Sequence, residues 1–538
     1  MLAQVHSFVL EGIEPTACEV EVDVTEATQL RTTIVGLPNA AVKESIERVQ
    51  SAIANSGYPF PIARLLVNLA PADIRKEGPS FDLPIAVGLL LAERVIQTRR
   101  HKRLLFAGEL ALDGRLRPIS GAISLALLGR RLNLDGVIVP ADNAHEAAAV
   151  GGIDIFPADS LASVVGFLNG QYDIAPLAAM DVERQLANEP PPMDFADVRG
   201  QEAIKRAMAI AAAGGHNILM IGPAGTGKSM MAKALAGILP PLSREEALEV
   251  TRIYSSVGQV PHGKPLITSR PVRTPHHTAS SVAMIGGGSI PRPGEVSLAH
   301  HGVLFLDEMP EFPRSVLETL RQPLEDGDVT IARAHSSICF PARFMLVGAM
   351  NPTPKGDKPT DEYSQREMER YLSKLSGPLI DRIDIHVEVP RVPYQQLTGK
   401  REGTDSATLR EQVMRVRAEQ SSRNGGPLKP NALLTGRELD DHVALDEDGK
   451  FVLKQAMTEM GLSARAYDKV RRVARTIADM EQATHVAVQH VAEAAYWPPK
   501  GDRSLTGQFL GQPLRSGRYG GSCWSCLFKA CSGQARKG

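Results

Sequence analysis

The octapeptide Gly222-Pro223-Ala224-Gly225-Thr226-Gly227-Lys228-Ser229 carries the first chemistry that this chain can do. Its glycines and its Lys-Ser end match the pattern that wraps backbone N–H groups around a nucleotide phosphate. Lys228 is expected to reach the β- and γ-phosphates, and the Ser229 hydroxyl to hold Mg²⁺. A second segment, Val303-Leu304-Phe305-Leu306-Asp307-Glu308, sets two carboxylates after four apolar residues. A buried strand there would bring Asp307 to the metal beside Ser229. Glu308 would then polarise an attacking water. A third run, Phe344 to Met350, is apolar and ends in Asn351, which is expected to orient water against the γ-phosphate. Together the three segments predict hydrolysis of a nucleoside triphosphate.

Two arginines extend the set. Arg382 stands in a loop between Asp381 and Asp384. It is a candidate arginine finger for a neighbouring subunit's site. The plainer alternative is a local salt bridge to Asp381 or Asp384. Arg465 opens a late helical segment and is placed to sense the γ-phosphate; the alternative is a solvated helix charge. His276, His277, His300 and His301 lack the spacing of a known metal motif, so packing or pore-loop roles are expected of them.

These side chains need elements to hold them. Asn217 to Ile221 reads as a buried strand and Met230 to Leu235 as a helix, the strand–loop–helix context that a phosphate loop requires. The fold class is therefore α/β, and 538 residues suggest several domains. Residues 1–167 read as one α/β domain. Strands are expected at Ala17 to Asp23, Arg31 to Val35 and Leu65 to Leu69, and helices at Ala40 to Ser56 and Leu83 to Leu91. Leu104 to Leu112 follows, before a turn at Asp113-Gly114. Residues 168–197, with Pro190-Pro191-Pro192, read as a linker. Residues 198–390 carry the nucleotide motifs. Residues 391–495 have helical spacing, and 496–538 read as a disordered, basic tail.

The stretch between Lys228 and Asp307 is long for a compact core. Arg273 to Thr278 and Ile285 to Gly294 look like an inserted loop. Asp328 to Ser337 reads as a second insertion, a hairpin with Arg333 and His335 near its tip. Loops of this kind on a ring can face a central pore and grip a polymer.

Composition narrows the class. A formal net charge of −1 argues against a globally basic nucleic-acid coat but leaves room for basic loops. Five cysteines fit a reducing compartment without a disulfide framework. No apolar run approaches the ~18 residues of a membrane span. The expected location is the cytoplasm, with no membrane partner.

Pro275-His276-His277-Thr278, Ile285-Gly286-Gly287-Gly288, Pro291 to Glu295, Ser297 to His300 and Ser376 to Ile385 make the resemblance specific. The chain resembles the magnesium-chelatase-like AAA+ ATPases and, within them, the YifB/ComM branch, from about residue 3 to residue 495. The resemblance implies ATP and Mg²⁺ as cofactors and a homo-hexameric ring. It further implies DNA translocation and branch migration, a helicase-type activity used in natural transformation. It places Lys228 and Ser229 in Walker A, Asp307 and Glu308 in Walker B, Asn351 at sensor 1, Arg382 at the finger and Arg465 at sensor 2. It implies a P-loop AAA+ parallel-sheet core, a C-terminal helical lid and an N-terminal Lon/ribosomal-S5-like domain. In that domain Lys76 to Ser80 is similar to the segment bearing the Lon nucleophile. The Lon lysine has no counterpart, because Ile123 stands at its place, so proteolysis is not expected. The chain also departs from relatives that carry a cysteine cluster after Asn351, and its tail holds three thiols, Cys523, Cys526 and Cys531, with no fourth ligand nearby. The alternative function is a chelatase-type motor that remodels a protein partner; a regulatory or chaperone ATPase without a nucleic-acid role is a third.

Overall fold

A computed structural model describes residues 1–27, 31–178, 182, 186, 193–261, 265–288, 291–332, 337–352, 370–393, 403–426, 429–460 and 463–497. The first sheet has seven strands: β1 (Leu2–Glu11), β2 (Glu14–Glu26), β3 (Arg31–Val35), β4 (Ala63–Ala70), β5 (Leu104–Phe106), β6 (Gly136–Pro140) and β7 (Asp154–Ala158). Their order is β3-β4-β2-β1-β5-β6-β7. β2 runs antiparallel to both β1 and β4; the other neighbours are parallel. Alternation decides the faces. In β4, Ala63, Leu65, Val67 and Leu69 are buried and the residues between them are not. Helix α1 (Ala40–Asn55) is capped by the Asn39 side chain, and α2 (Asp82–Ala92) is buried nearly all round.

The expected strands and helices here all form, within a few residues. Leu104 to Leu112 divides, because only β5 joins the sheet; Glu109–Leu110 turns away and pairs with Leu116–Arg117 around Asp113-Gly114. Ser80 lies in a single 3₁₀ turn, Pro79–Phe81. The nearby Lys76 is fully buried and donates to the Pro71 carbonyl, and Ile123 is buried in α3 (Ala122–Arg131). Two further helices, α4 (Ala141–Ala148) and α5 (Leu161–Leu168), cover β6 and β7.

The second sheet has five strands, all parallel: β8 (Ile218–Ile221), β9 (Val272–Arg273), β10 (Val303–Leu306), β13 (Met345–Met350) and β14 (Ile385–Glu388). A separate hairpin is formed by β11 (Asp328–Ala332) and β12 (Ser337–Pro341). The order of the five is β9-β10-β13-β8-β14. Parallel strands covered on both faces read as unbroken apolar runs, and every residue of β8, β10 and β13 is buried. Helices α6 (Glu202–Gly214) and α7 (Lys228–Ile238) flank this sheet, and α8 (Arg244–Ser256) follows them in the chain. The first inserted loop contains the short helix Ser281–Ile285 and a two-residue pairing of Gly286–Gly287 with Arg292–Pro293. In the second, Arg333 and His335 fall outside the described residues, between β11 and β12.

Among the described residues five α-helices follow: α9 (Ser406–Asn424), α10 (Gly436–His442), α11 (Glu447–Met460), α12 (Ala464–Met480) and α13 (Val488–Tyr496). Val413, Val416, Val473, Ile477 and Val491 join one apolar cluster with Met208 of α6 and Met220 of β8. Asp479 ties this region polar-side inward. It accepts from Arg423 at 2.7 and 2.8 Å, from Arg475 at 2.9 Å and from Asn431 at 2.9 Å. Trp497 still packs into the cluster, and its carbonyl accepts from the His386 N–H. The tail expected beyond it, with its cysteines, lies outside the described residues, as do Pro190 to Pro192 and most of the segment after Asn351. No helix among the described residues is long and apolar enough to cross a membrane.

Helix α8 is held both by the segment that leads into β10, through Glu249 and the His300–His301 pair, and by the first domain. Ile253 meets Ile13, Leu298 and Phe340. Ala247 and Leu242 join Ala144 and Ala147 of α4. The Ser255 hydroxyl accepts from the Gly121 N–H at 3.0 Å and donates to the buried Glu146 carboxylate. Arg252 pairs with Glu14 at 2.9 Å.

Candidate nucleotide site

The loop between β8 and α7 is built by what its glycines permit. A Cβ on Gly222 would lie 2.3 Å from the Val389 carbonyl oxygen, so only Gly fits where β8 passes β14. Gly227 caps α7 at φ +86°, a conformation that L side chains rarely adopt. α7 thus begins at Lys228 with its free N–H groups facing the loop, the arrangement that favours an anion. Gln201 braces the loop from outside, donating to the Thr226 carbonyl at 3.2 Å and the Pro390 carbonyl at 3.1 Å.

Sheet order brings the remaining groups together. β13 lies between β8 and β10, so Asn351 at its end stands beside the loop and beside the carboxylates. The Lys228 ammonium donates to the Gly222 carbonyl at 2.7 Å, the Pro223 carbonyl at 2.8 Å and Asn351 Oδ1 at 3.2 Å. Burial pushes Lys228 below its ordinary value, and the charges of Asp307 and Glu308 oppose that shift. The Ser229 hydroxyl donates to Asp307 Oδ2 at 2.7 Å. Asp307 Oδ1 accepts the Glu308 N–H at 3.0 Å. Glu308 is left-handed at φ +49°, exposed, and 4.0 Å from His277 Nδ1. The structure therefore gathers Lys228, Ser229, Asp307, Glu308 and Asn351 at the C-terminal edge of a parallel sheet, where open α/β sheets take ligands. A hydroxyl and a carboxylate in contact are hard oxygen donors of the kind Mg²⁺ uses, and the loop, its lysine and the α7 terminus suit a polyphosphate.

Arg382 is elsewhere. It precedes β14, whose first residue Ile385 pairs with Ile218 at the start of β8. Asn217 fixes the segment by donating to the Arg382 carbonyl at 2.9 Å and accepting from the Leu346 N–H at 2.8 Å. Arg382 thus sits at the N-terminal edge of the sheet, about 13 Å of strand from its own phosphate loop at ~3.3 Å per residue. Its guanidinium does form a salt bridge within the chain, but to neither neighbour in sequence. It pairs with Glu325 and donates to the Pro378 carbonyl at 2.7 Å. Asp384 instead lies 3.6 Å from His216 Nδ1. Arg465 is exposed on the first turn of α12, which the Ser463 hydroxyl caps. Its charge acts on Glu325 as well. Reasoning from sequence missed Gln201, Asn217 and Glu325. Gln201 alone left a signal, a polar residue after Gly200 at the head of an apolar helix.

Among the described residues one group could hold a metal ion: Glu249, His300 and His301. Its hydrogen bonds argue otherwise. The Arg343 N–H donates to His300 Nδ1 at 3.0 Å. The ring proton is therefore on Nε2, which donates to Glu249 at 3.1 Å. A protonated nitrogen has no lone pair for a metal. Burial pushes His300 down to about 4, so the ring stays neutral. His301 reaches the same Glu249 oxygen at 2.8 Å. These histidines pack α8 against the turn before β10. His276 and His277 stack, with His276 Nδ1 bonded to Thr278 at 2.9 Å.

Comparison with known proteins agrees with this geometry. Three family models match in series: subunit ChlI of Mg-chelatase over residues 20–143, magnesium chelatase subunit ChlI over 194–397, and the ChlI C-terminal region over 403–497. Competence protein ComM of Haemophilus influenzae is 44% identical over 499 residues, 92% of this chain and 96% of that protein. The uncharacterized protein YifB of Salmonella typhimurium is 44% identical over 496 residues, with the same coverage of 92% and 96%. The magnesium-chelatase subunit ChlI of Chlorella vulgaris is 24% identical over 58% of this chain and 88% of that protein. With its mixed N-terminal sheet, five-stranded parallel core and C-terminal helices, the chain belongs to the YifB/ComM family of magnesium-chelatase ChlI-like AAA ATPases.

Proposed function

We propose that this protein is a ring-forming motor that couples ATP hydrolysis to movement on DNA, driving branch migration of recombination intermediates in natural transformation. One observation carries the motor reading: Lys228 is hydrogen-bonded to Asn351 and Ser229 to Asp307, two pairs set side by side at the ends of three adjacent parallel strands and their loops. The DNA reading is supported by the near full-length similarity to a competence protein. In this reading residues 1–167, 198–390 and 391–495 are the N-terminal domain, the ATPase core and the lid, and the protein works in the cytoplasm as a homo-hexamer.

ATP, when bound with Mg²⁺, supplies the phosphoanhydride bond that is split and the counter-charge for its oxygens. The chain does the rest. Lys228 trades its loop carbonyls for phosphate oxygens. Ser229 and Asp307 hold the metal. Glu308 accepts the proton of the attacking water, and Asn351 orients that water. Arg382, unable to reach its own loop, serves the site of the next subunit, and Arg465 approaches from the lid. In this reading the segment between β11 and β12 is the pore loop that meets the polymer.

The test is the ATPase rate of the full chain with no DNA, single strands, duplex and a four-way junction, beside a gel assay of junction dissociation. Stimulation by DNA and ATP-dependent dissociation are expected. An ATPase indifferent to every DNA would instead favour a chelatase-type motor acting on a protein partner, the reading to which the ChlI similarity leads.

A further inference from the structure

Arg382, read above as a finger for a neighbour, is engaged within its own chain. Nη2 pairs with the Glu325 carboxylate, on the short helix Arg321–Asp326, and Nη1 donates to the Pro378 carbonyl at 2.7 Å. The two members of the ion pair differ in exposure. The Arg382 side chain is 14% exposed and that of Glu325 60%. The carboxylate is therefore the outer member, standing between the guanidinium and solvent. Glu325 is also where other positive charge converges. Arg382 first, then Arg465 and Arg321, hold its carboxyl below the usual carboxylate range. Arg321 has a partner of its own, Glu318 at 3.0 Å; Arg382 has no other carboxylate among the described contacts. An exposed anion paired with Arg382 and lying in the field of Arg465, the two arginines proposed to act on a γ-phosphate, occupies the charge environment that a phosphate would need.

We propose that Glu325 stands in for the neighbouring subunit's terminal phosphate: it holds Arg382 near its working position and competes for it until the subunits close on each other. The inference rests on the reading of Arg382 as a finger acting in trans. The exchange is one of like for like. A carboxylate oxygen leaves the guanidinium and a phosphate oxygen, also an anionic acceptor, takes its place. A half-exposed pair holds weakly enough to yield, since such pairs shift an equilibrium by no more than about fivefold. No bond is made or broken. The arrangement ties finger delivery to assembly, so a lone subunit keeps its arginine to itself.

The experiment separates donation from folding. Full-length Arg382→Ala subunits, with an intact nucleotide loop and no finger, report the rate. Full-length Lys228→Ala subunits, with a finger and no working loop, donate. Donors carry either Glu325 or Glu325→Gln, which keeps the size of the side chain and removes its charge. ATP hydrolysis by the mixture is followed against donor concentration. With Glu325→Gln donors the rate at limiting donor is expected to rise about two- to fivefold. The two donor types are expected to converge at saturation. Glu325→Ala donors are expected to behave as Glu325→Gln. Equal or lower rates with the uncharged donors would overturn the stand-in while leaving the finger in place. Failure of every donor to restore hydrolysis to Arg382→Ala subunits would overturn the finger and the stand-in together. A finger variant that hydrolyses ATP normally on its own would do the same.

Discussion

Asn351 Oδ1 accepts a hydrogen bond from the Lys228 ammonium at 3.2 Å, and the other two ammonium bonds go to the Gly222 and Pro223 carbonyls. An ammonium has three hydrogens, and here each has a neutral oxygen. The cation is aimed without being neutralised. Its charge is kept for an anion that arrives between the loop and the end of β13.

Removing that charge is the first test. Lys228→Ala is expected to abolish ATP hydrolysis and weaken nucleotide binding. Glu308→Gln is expected to bind ATP and to lose about 10²–10⁴ in turnover, since an amide cannot accept the water's proton. Turnover and nucleotide affinity, measured on both variants, check the assignment. Wild-type rates in either one would refute it.

Arg382→Ala is expected to keep ATP binding and lose hydrolysis by about 10³–10⁵, the range seen when an arginine finger is removed. Because the residue sits at the opposite edge of the sheet from its own loop, mixing it with Lys228→Ala should restore activity at mixed interfaces. A mixture no faster than its two parents would place the finger elsewhere.

How much of this was open to reading from the chain depends on distance along it. The phosphate loop, the Asp307-Glu308 pair and Asn351 were legible because each ends a short apolar run, and a run reports its own burial. The helices of the first domain were legible for the same reason. Strand β1 was not read as a strand, because Leu2 to Glu11 mixes polar and apolar residues and its partner is supplied by the turn at Gly12. The partner of Arg382 was also hidden. Asp381 and Asp384 flank it in sequence, yet the bond goes to Glu325, on a helix that no local pattern connects to the finger loop. Asn217 looked like the end of a strand and is the clasp that joins β8, β13 and the finger segment. Pairings of that kind are properties of the folded sheet.

DNA contact is expected to depend on the β11–β12 hairpin. Arg333→Glu should preserve basal ATPase and abolish DNA stimulation and junction dissociation. In the wild type, affinity should fall steeply with salt as neutralised phosphates release counterions. Stimulation that survives in Arg333→Glu would move the contact off this hairpin.

Acid is expected to loosen the core through His386. Burial pushes this ring down to about 3; the Lys469 charge adds to the shift, while the Ile383 carbonyl and Asp384 oppose it. An unfolded histidine titrates near 6.5. The unfolded state therefore binds more protons than the folded one between about pH 6.5 and 3. The contribution is complete above about 6.5 and is lost as the pH falls. Thermal midpoints of the wild type and His386→Leu, taken at several pH values from 7.5 to 5, should fall more steeply below about pH 6.5 in the wild type than in the variant. An identical acid dependence in both would clear His386 of the effect.

The sharing of α8 has a practical consequence for anyone dividing this chain. A cut in the segment after α5 would separate two sheets on paper. It would also strip Ile253, Ala247 and Leu242 of their covering and leave Glu146 a buried acid with no hydroxyl to answer it. The seam between the two sheets is interior, not joinery between finished parts. A fragment starting near residue 198 would carry an adhesive flank, and the intact chain should melt its N-terminal sheet and its ATPase core in a single cooperative step.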